Sequence, residues 1–565
     1  MDSGTQELRS WSVKDYQPIP EFDLEEIRSA FQGLARRKAP GLDMITNEHL
    51  EHSIPALGDS WFELFKYCTS RARLPSQWRT SLLFLLFKGK GQKEDLNNYR
   101  GISLLNTSFK VFTKMLKDRL AALLESKLSD GQYGFRKGRS TLDAGDRLLG
   151  TVREAHANGF KGVYALFIDF QKAFDTVDRA LLLKKLKYDY NLEDGYLAIL
   201  EEILLETRIT FRNQMCQCRD FHSSPIEVQQ TIGVVQGDSL SPYLFALFIN
   251  DLVNYVKSHC PGVETLLYAD DAAAVTTSNR EMKNVLLTLK EWSEQNKLKV
   301  NASKTKMMKF RNGGRLAKGD EFMYSDAPIE IVNEFVYLGI TLQTKLGFTK
   351  HVERVKRKAI TATALLTKHL SKLSLSSVLK LFKVKIKPIA TYGIRLVAPS
   401  LSKASLLQLD IVKSKYLKKA LCLPVSTNND VVYNLCDTKR LCEELKEAGV
   451  QFDEQAYKEY QEVVQAKKLL ESQRQRNKLA FEDDNWKRPM QPRHYVVGYT
   501  VHGFHWCICK NKEYHERKGE CVCKECNQSA ADADHLARCP MLQGDLYGRY
   551  KTVVGARSVI GDQSN

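Results

Sequence analysis

Long hydrophobic runs are missing from this 565-residue chain. The longest, such as SLLFLLF (Ser81 to Phe87), fall well short of the roughly 20 apolar residues that span a bilayer, so no membrane segment is expected. The N-terminus, MDSGTQELRSWSVKDYQPIP, lacks the apolar centre of a secretory signal and the Arg-rich amphipathic character of a transit peptide. An intracellular protein is expected. No internal repeat and no low-complexity tract is visible, which argues against a solenoid or a fibrous chain. Cysteine is sparse over most of the length: six of the thirteen lie between Cys507 and Cys539. An odd, clustered set speaks for thiols and a local metal site over a disulfide framework. Acidic residues nearly vanish from Thr344 to Lys419, where eighteen Lys and Arg meet only Glu353 and Asp410, so this stretch carries +16 of the formal +17. Solvated lysine-rich helices would account for some of this, but charge concentrated in one block is what a phosphate-neutralising surface requires.

What is present is enough apolar residue, 43%, with 27% charged, to build several globular domains. DLEEIRSAFQGLARRKAPG reads as a short amphipathic helix, with Asp23 as N-cap and a stop at APG. SLLFLLFKGKG reads as a buried strand entering a basic, Gly-rich turn, and SFKVFTKMLKDRLAALLESKL as a helix. From Val163 strands and helices alternate: VYALFIDF is a buried strand, RALLLKKLKYDY a helix, TLLYADDAAAV two short strands around a tight turn, and REMKNVLLTLKEWSEQNKL a helix. That alternation predicts an α+β or α/β sheet domain. After Leu342 helical patterns such as EQAYKEYQEVVQAKKLLESQRQRNKLAF dominate, and a Cys/His-rich tail closes the chain.

Asp270 and Asp271 lie between two apolar runs in ETLLYADDAAAV. Buried charge is costly unless it is paired or bound to metal. The two are expected at a two-residue hairpin turn, which would hold their side chains clear of the sheet at a fixed place. A second acidic strand end, Asp169, follows Tyr164 to Ile168. Carboxylates at neighbouring strand edges raise one another's pKa. Mg2+ removes the conflict, because it takes hard oxygens from one or two carboxylates and from substrate phosphates. Two such ions about 3.5 to 4 Å apart stabilise the attacking and leaving oxygens in phosphoryl transfer. Aspartate is also an ordinary turn former, a reading that weakens when three sit at the ends of apolar strands.

Several ordered motifs then carry a resemblance. FIDFQKAFDTVDR, GVVQGDSLSPYLFALFINDL, YADD, LKVNASKTKMMKF and FVYLGITL, preceded by RRKAPGLDMITNEHL, LFKGKGQKEDLNNYRGISLLN and GQYGFRKGRSTLDA, resemble the reverse transcriptases of non-LTR, LINE-type retrotransposons. The resemblance covers about Asp23 to Ser400. It implies an α+β right-hand polymerase with an N-terminal extension (1–22), fingers (23–160), a catalytic palm (161–343), a helical basic thumb with its extension (344–480) and a C-terminal region (481–565). It implies RNA-directed DNA polymerase activity, a nucleotidyl transfer from dNTPs to a primer 3′-hydroxyl assisted by two Mg2+ ions. The partners would be an RNA template, a DNA primer or target DNA, and dNTPs, in the nucleus or cytoplasm.

By similarity, Asp169 and Asp270 are metal ligands, with Asp271 supporting them and the Phe170 carbonyl completing the shell. Phe174 matches a ring lying against the sugar of the incoming nucleotide, where a 2′-hydroxyl would collide; without the resemblance it reads as a core phenylalanine. Gln236 and Gly237 match a loop packed against nucleotide and template, where glycine permits close backbone approach, with Ser239, Ser241 and Pro242 opening a helix. Lys88 and Arg100 match cations on the triphosphate, Arg suiting bidentate contact and Lys a point charge; Lys90 is a rival to Lys88. Lys304 resembles a palm lysine near the leaving pyrophosphate, with Lys306 as its rival. YLGI resembles a hairpin that holds the primer end.

In the tail, Cys523, Cys526, His535 and Cys539 form C-x2-C-x8-H-x3-C. Two close pairs of soft ligands suit tetrahedral Zn2+, which would fold a segment too small for its own core. The spacing departs from the retroviral knuckle, Cys507, Cys509 and Cys521 are unassigned, and His505 and His515 are possible companions. LINE-type proteins carry an endonuclease before the polymerase or after the Cys/His cluster; with fingers starting near Asp23 and few residues after Cys539, neither is expected here, nor is a ribonuclease H pattern evident. The alternatives are a catalytically silent nucleic-acid-binding relic, an RNA-templated RNA polymerase, disfavoured by Phe174, and an intron-maturase-like enzyme.

Overall fold

The computed structural model describes residues 16–89, 91–205, 207–211, 227–311, 320–370 and 373–483. They fall into two compact units, one up to Leu338 and one from Gly339. The strands of the first unit that matter for the site are β1 (Thr80–Phe87), β2 (Tyr99–Leu104), β3 (Gly162–Ile168), β4 (Thr207–Thr210), β5 (Glu227–Gln230), β6 (Glu264–Tyr268), β7 (Asp271–Thr276) and β8 (Lys306–Arg311).

β3 is the middle of a five-stranded sheet ordered Glu330–Ile331, β8, β3, β7, β6. It runs antiparallel to both neighbours, with Leu166 opposite Ala274 on one side and Met307 on the other. Every residue from Val163 to Ile168 is buried, because both faces of the strand are covered, and so the run is apolar without alternation. The helix Asn279–Gln295 packs on β3 and β7, where Ala272 and Ala274, on one face of β7, leave room for it and Trp292 is fully buried. Ser278 starts that helix by accepting a hydrogen bond from the Glu281 N–H. The helix Ser241–Ile249 is buried at all positions except Pro242, as its all-round apolar sequence requires.

A second sheet has the order β2, β1, β4, β5. Here the expected buried strand SLLFLLF is only half buried: Ser81 is inside, while Phe84, Leu85 and Leu86 are 44%, 41% and 48% exposed. The cause is the sheet's outline. Pairing of β1 with β4 stops at Leu82, whereas pairing with β2 continues to Phe87, so the outer half of β1 belongs to a two-stranded ribbon with no layer over it. The N-terminal helix also departs from expectation. Asp23 caps it in a reciprocal capping box with Glu26, but it ends at Gln32, well before APG. The Gly33 N–H closes the helix by returning to the Ser29 and Phe31 carbonyls.

The second unit is helical over most of its described length, from Thr349–Leu370 through Lys403–Ala420 to Glu454–Asp483. Its basic block divides into two populations. Lys350, Arg357, Lys358, Lys380, Lys383 and Lys385 are exposed. Lys413 is buried and bonded to Glu444, Thr438 and the Lys439 carbonyl, and Lys387 meets the same Glu444 at 2.7 Å. Asp410, one of the two acids in the block, is buried too, accepting from the Tyr460 hydroxyl and the Cys442 N–H. Among the described residues no helix is long and apolar enough to cross a membrane.

Candidate active site

β6 and β7 form a tight hairpin in which Tyr268 pairs with Asp271. The two turn residues are therefore Ala269 and Asp270, and Asp271 is the first residue of β7. This corrects the expected placement of both aspartates in the turn by one position. Ala269 takes the left-handed conformation, φ 56°, and the chain behind it explains how it is held. Gln132 bridges to Leu267, with Tyr133 N–H donating to the Leu267 carbonyl and Leu267 N–H to the Gly131 carbonyl, each at 2.8 Å. The glycine-rich segment 131–134 thus lies along the hairpin. A Cβ on Gly134 would stand 2.4 Å from the Ala269 nitrogen, so only glycine fits there.

Asp169 arrives from the other side. The β3–β7 register ends at Ile168 opposite Ala272, which sets Asp169, one residue on, level with Asp271. Its N–H donates to the Thr305 hydroxyl at 3.2 Å and its carbonyl accepts from the Asn301 N–H at 2.7 Å, so β3 cannot rotate the carboxylate away without breaking the joint with β8. The three aspartates share one edge of the sheet. Lys304 reaches within 3.9 Å of Asp169 Oδ2. Its rival Lys306 is engaged elsewhere, 2.7 Å from Glu330 and bonded to the Ser303 carbonyl.

The electrostatics of this edge are those of a site short of positive charge. Asp169 Oδ2 is buried without a hydrogen-bond partner. Loss of water raises the Asp169 pKa, Lys304 and Asn301 pull it down, and Asp270 pushes it up again. Asp271 is driven up to about 6, first by the loss of water and then by Asp270 and Asp169. Hard, crowded oxygens of this kind fit Mg2+. As placed, however, no three His, Cys, Asp or Glu side chains among the described residues gather closely enough to hold one ion. The carboxylates share an edge without forming a closed cage.

The residues expected around a nucleotide fall in two places. Phe174 is half-buried and stacks on Phe245 at 4.4 Å, with Phe135 edge-on at 6.4 Å. Phe170 is buried near Trp292. Gln236 donates from Nε2 to Asp175 at 2.8 Å, and its carbonyl accepts from the Ser103 N–H at 2.7 Å. Gly237 has φ 120°, and a Cβ there would lie 2.4 Å from the Ser103 carbonyl oxygen. The close approach its glycine permits in this structure is to β2. Lys88 and Arg100 stand at the exposed end of the β1–β2 ribbon. Arg100 is opposite Leu86, and Lys88, two residues on, projects from the same face of the ribbon. Lys88 Nζ donates to the Asn97 carbonyl at 2.9 Å. Lys90, Cys523, Cys526, His535 and Cys539 lie outside the described residues.

Sequence reading missed the parts that fix these groups. Arg179 is fully buried and donates to the Gly233, Gln230 and Leu204 carbonyls, tying the strand before Gln236 to the turn that carries Phe174. Asp238 is buried, with burial pushing its pKa up to about 6, and it accepts from the Thr113 hydroxyl and the Ser239 N–H. Both lie inside quoted motifs, but Thr113 and the carbonyls that hold Arg179 lie 25 or more residues away in the chain.

Residues 91–342 match the family described as reverse transcriptase (RNA-dependent DNA polymerase). The protein named probable RNA-directed DNA polymerase from transposon BS of Drosophila melanogaster is 29% identical over 353 residues, 60% of this chain and 38% of that protein. The RNA-directed DNA polymerase from mobile element jockey of the same species is 27% identical over 420 residues, 71% of this chain and 44% of that protein. The chain thus spans less than half the length of these relatives. A solved apo telomerase from Candida tropicalis aligns at TM-score 0.35 and 12% identity over 51% of this chain and 59% of that one, too loosely to carry an argument. The region that holds Asp169, Asp270 and Asp271 thus lies within the stretch that matches the reverse transcriptase family, and its relatives are named as RNA-directed DNA polymerases of mobile elements.

Proposed function

We propose that the chain is the polymerase part of a non-LTR retrotransposon protein and extends a primer 3′-hydroxyl with dNTPs on an RNA template. The observation that carries the reading is the shared sheet edge, where a buried Asp169 oxygen without a hydrogen-bond partner stands level with the Asp270–Asp271 hairpin. In this reading residues 23–160 are fingers, 161–343 palm and 344–480 thumb. The family generally uses divalent ions such as Mg2+. Asp169 and Asp270, with Asp271 and the Phe170 carbonyl, would hold two of them, whose chemistry is to neutralise charge on the attacking and leaving oxygens.

The protein's own groups then mainly position and screen. The 3′-hydroxyl attacks the α-phosphate in line, giving its proton to water as the bond to pyrophosphate breaks. Lys304, 70% exposed and only loosely paired with Asp169, is available to donate a proton to the leaving pyrophosphate, whereas Lys306 is tied to Glu330. Lys88 and Arg100 bind the triphosphate from one face of the ribbon. Phe174, held against Phe245, excludes a 2′-hydroxyl. With Nε2 committed to Asp175, Gln236 offers its side-chain oxygen to the nucleotide. The exposed lysines of the second unit would follow the phosphate backbone of the template–primer duplex. Cys523, Cys526, His535 and Cys539 are proposed as a Zn2+ site on their spacing alone, which metal content of the purified chain would check.

The test is extension of a DNA primer on an RNA template with Mg2+, comparing the wild type with Asp270→Asn. Incorporation by the wild type and its loss in the variant is the expected result. Equal incorporation by both, or none by either, would defeat the enzyme reading in favour of a silent nucleic-acid-binding protein.

A further inference from the structure

Phe135 is a residue for which packing gives no sufficient reason. Its backbone is left-handed, φ 60°, a conformation that costs a residue with a bulky side chain and persists only where the surroundings impose it. Here they do. Gly134 is pressed on the Ala269 nitrogen and donates to Gln132 Oε1 at 2.9 Å. On the other side, the largely covered side chain of Arg136 is fixed by Glu125 at 2.9 Å and by the Ser129 and Gln132 carbonyls at 2.8 and 2.9 Å. Between two immobilised neighbours the strained residue presents an aromatic ring that is 40% exposed. The ring is not filling the core. It stands edge-on to Phe174, 6.4 Å away, on a segment laid along the hairpin that carries Asp270.

Strain that leaves a large apolar ring in solvent, beside the reacting groups, is the pattern of a substrate contact. We propose that Phe135 packs on the flat face of a nucleotide at the reacting base pair, and so forms with Phe174 an aromatic corner. This rests on the polymerase reading above. The shared chemistry is a base or sugar face, which either the incoming dNTP or the template–primer duplex supplies.

The experiment compares wild type, Phe135→Gly and Phe135→Tyr in steady-state primer extension, in direct binding of a template–primer duplex, and in thermal melting. Glycine relieves the left-handed backbone, so Phe135→Gly is expected to melt no lower than the wild type while losing about ten-fold in one of the two substrate terms. A rise in dNTP KM identifies the incoming nucleotide as the source, a rise in duplex Kd the template–primer. Phe135→Tyr keeps the ring and should stay near wild type in both. A wild type that extends primers while Phe135→Gly matches it in KM and Kd overturns this inference alone, whether or not the melting point falls. A wild type that incorporates nothing overturns it together with the polymerase reading.

Discussion

Strands β1 and β3 begin from nearly the same material and end in opposite environments. SLLFLLF and VYALFI are both unbroken apolar runs, each followed within two residues by a charge, Lys88 in one case and Asp169 in the other. β3 has a strand on each side and helices above it, and nothing in it from Val163 onward reaches solvent. β1 outruns β4 and leaves its last residues with β2 alone. The contrast teaches that an apolar run states what a strand would bury if a layer were supplied, and that the neighbours decide whether it is. It also matches the charge each strand delivers: Asp169 is pinned by Thr305 and Asn301, while Lys88 stands exposed at the end of a ribbon.

The sharpest way to break the comparison is to truncate both strands. Leu166→Ala, in the middle of β3, should cost about 2–5 kcal/mol in urea unfolding, whereas Leu85→Ala should stay within about 1 kcal/mol; equal losses would show that the ribbon is covered. The next effect concerns the loop that follows Gln236. The Asp238 carboxyl, raised by burial from 3.8 to about 6, binds its proton more tightly folded than unfolded. Its contribution is therefore complete below about pH 4 and is lost as pH rises through about 6, a change of at most about 3 kcal/mol. Urea midpoints of the wild type measured across pH 4 to 7 should fall through that window, and those of Asp238→Asn should change less. The smallest effect on stability belongs to Lys88→Ala, which should leave the urea midpoint unchanged and raise dNTP KM about ten-fold; a shifted midpoint with unaltered KM would make it a structural residue of the ribbon.

Much of the five-stranded sheet was legible because its signals are local. Tyr164 to Ile168, Leu266 to Tyr268 and Ala272 to Val275 announce themselves by length and composition, and acidic residues at the ends of such runs stand out against them. The errors arose where a distant partner decides. Gly134 fixes the turn at Ala269 from more than a hundred residues upstream, so the local pattern alone puts the hairpin one residue late. Gln236 was recognisable by motif, but its hydrogen bond to Asp175 spans 61 residues. No periodicity encodes such a contact. The basic block shows the same limit: counting charges cannot distinguish exposed Lys383 from Lys413, whose partner Glu444 lies 31 residues on.

The contact between Gly237 and Ser103 joins strand β2 to the loop that leads into the helix Ser241–Ile249. Because the Ser103 N–H holds the Gln236 carbonyl, a tilt of the ribbon that carries Arg100 and Lys88 transmits directly to the loop of Gln236 and Gly237. In the proposed reading, a grip on a triphosphate at one end and the orientation of an amide at the other would mechanically be a single lever, with its fulcrum at a position where any side chain larger than hydrogen would jam it.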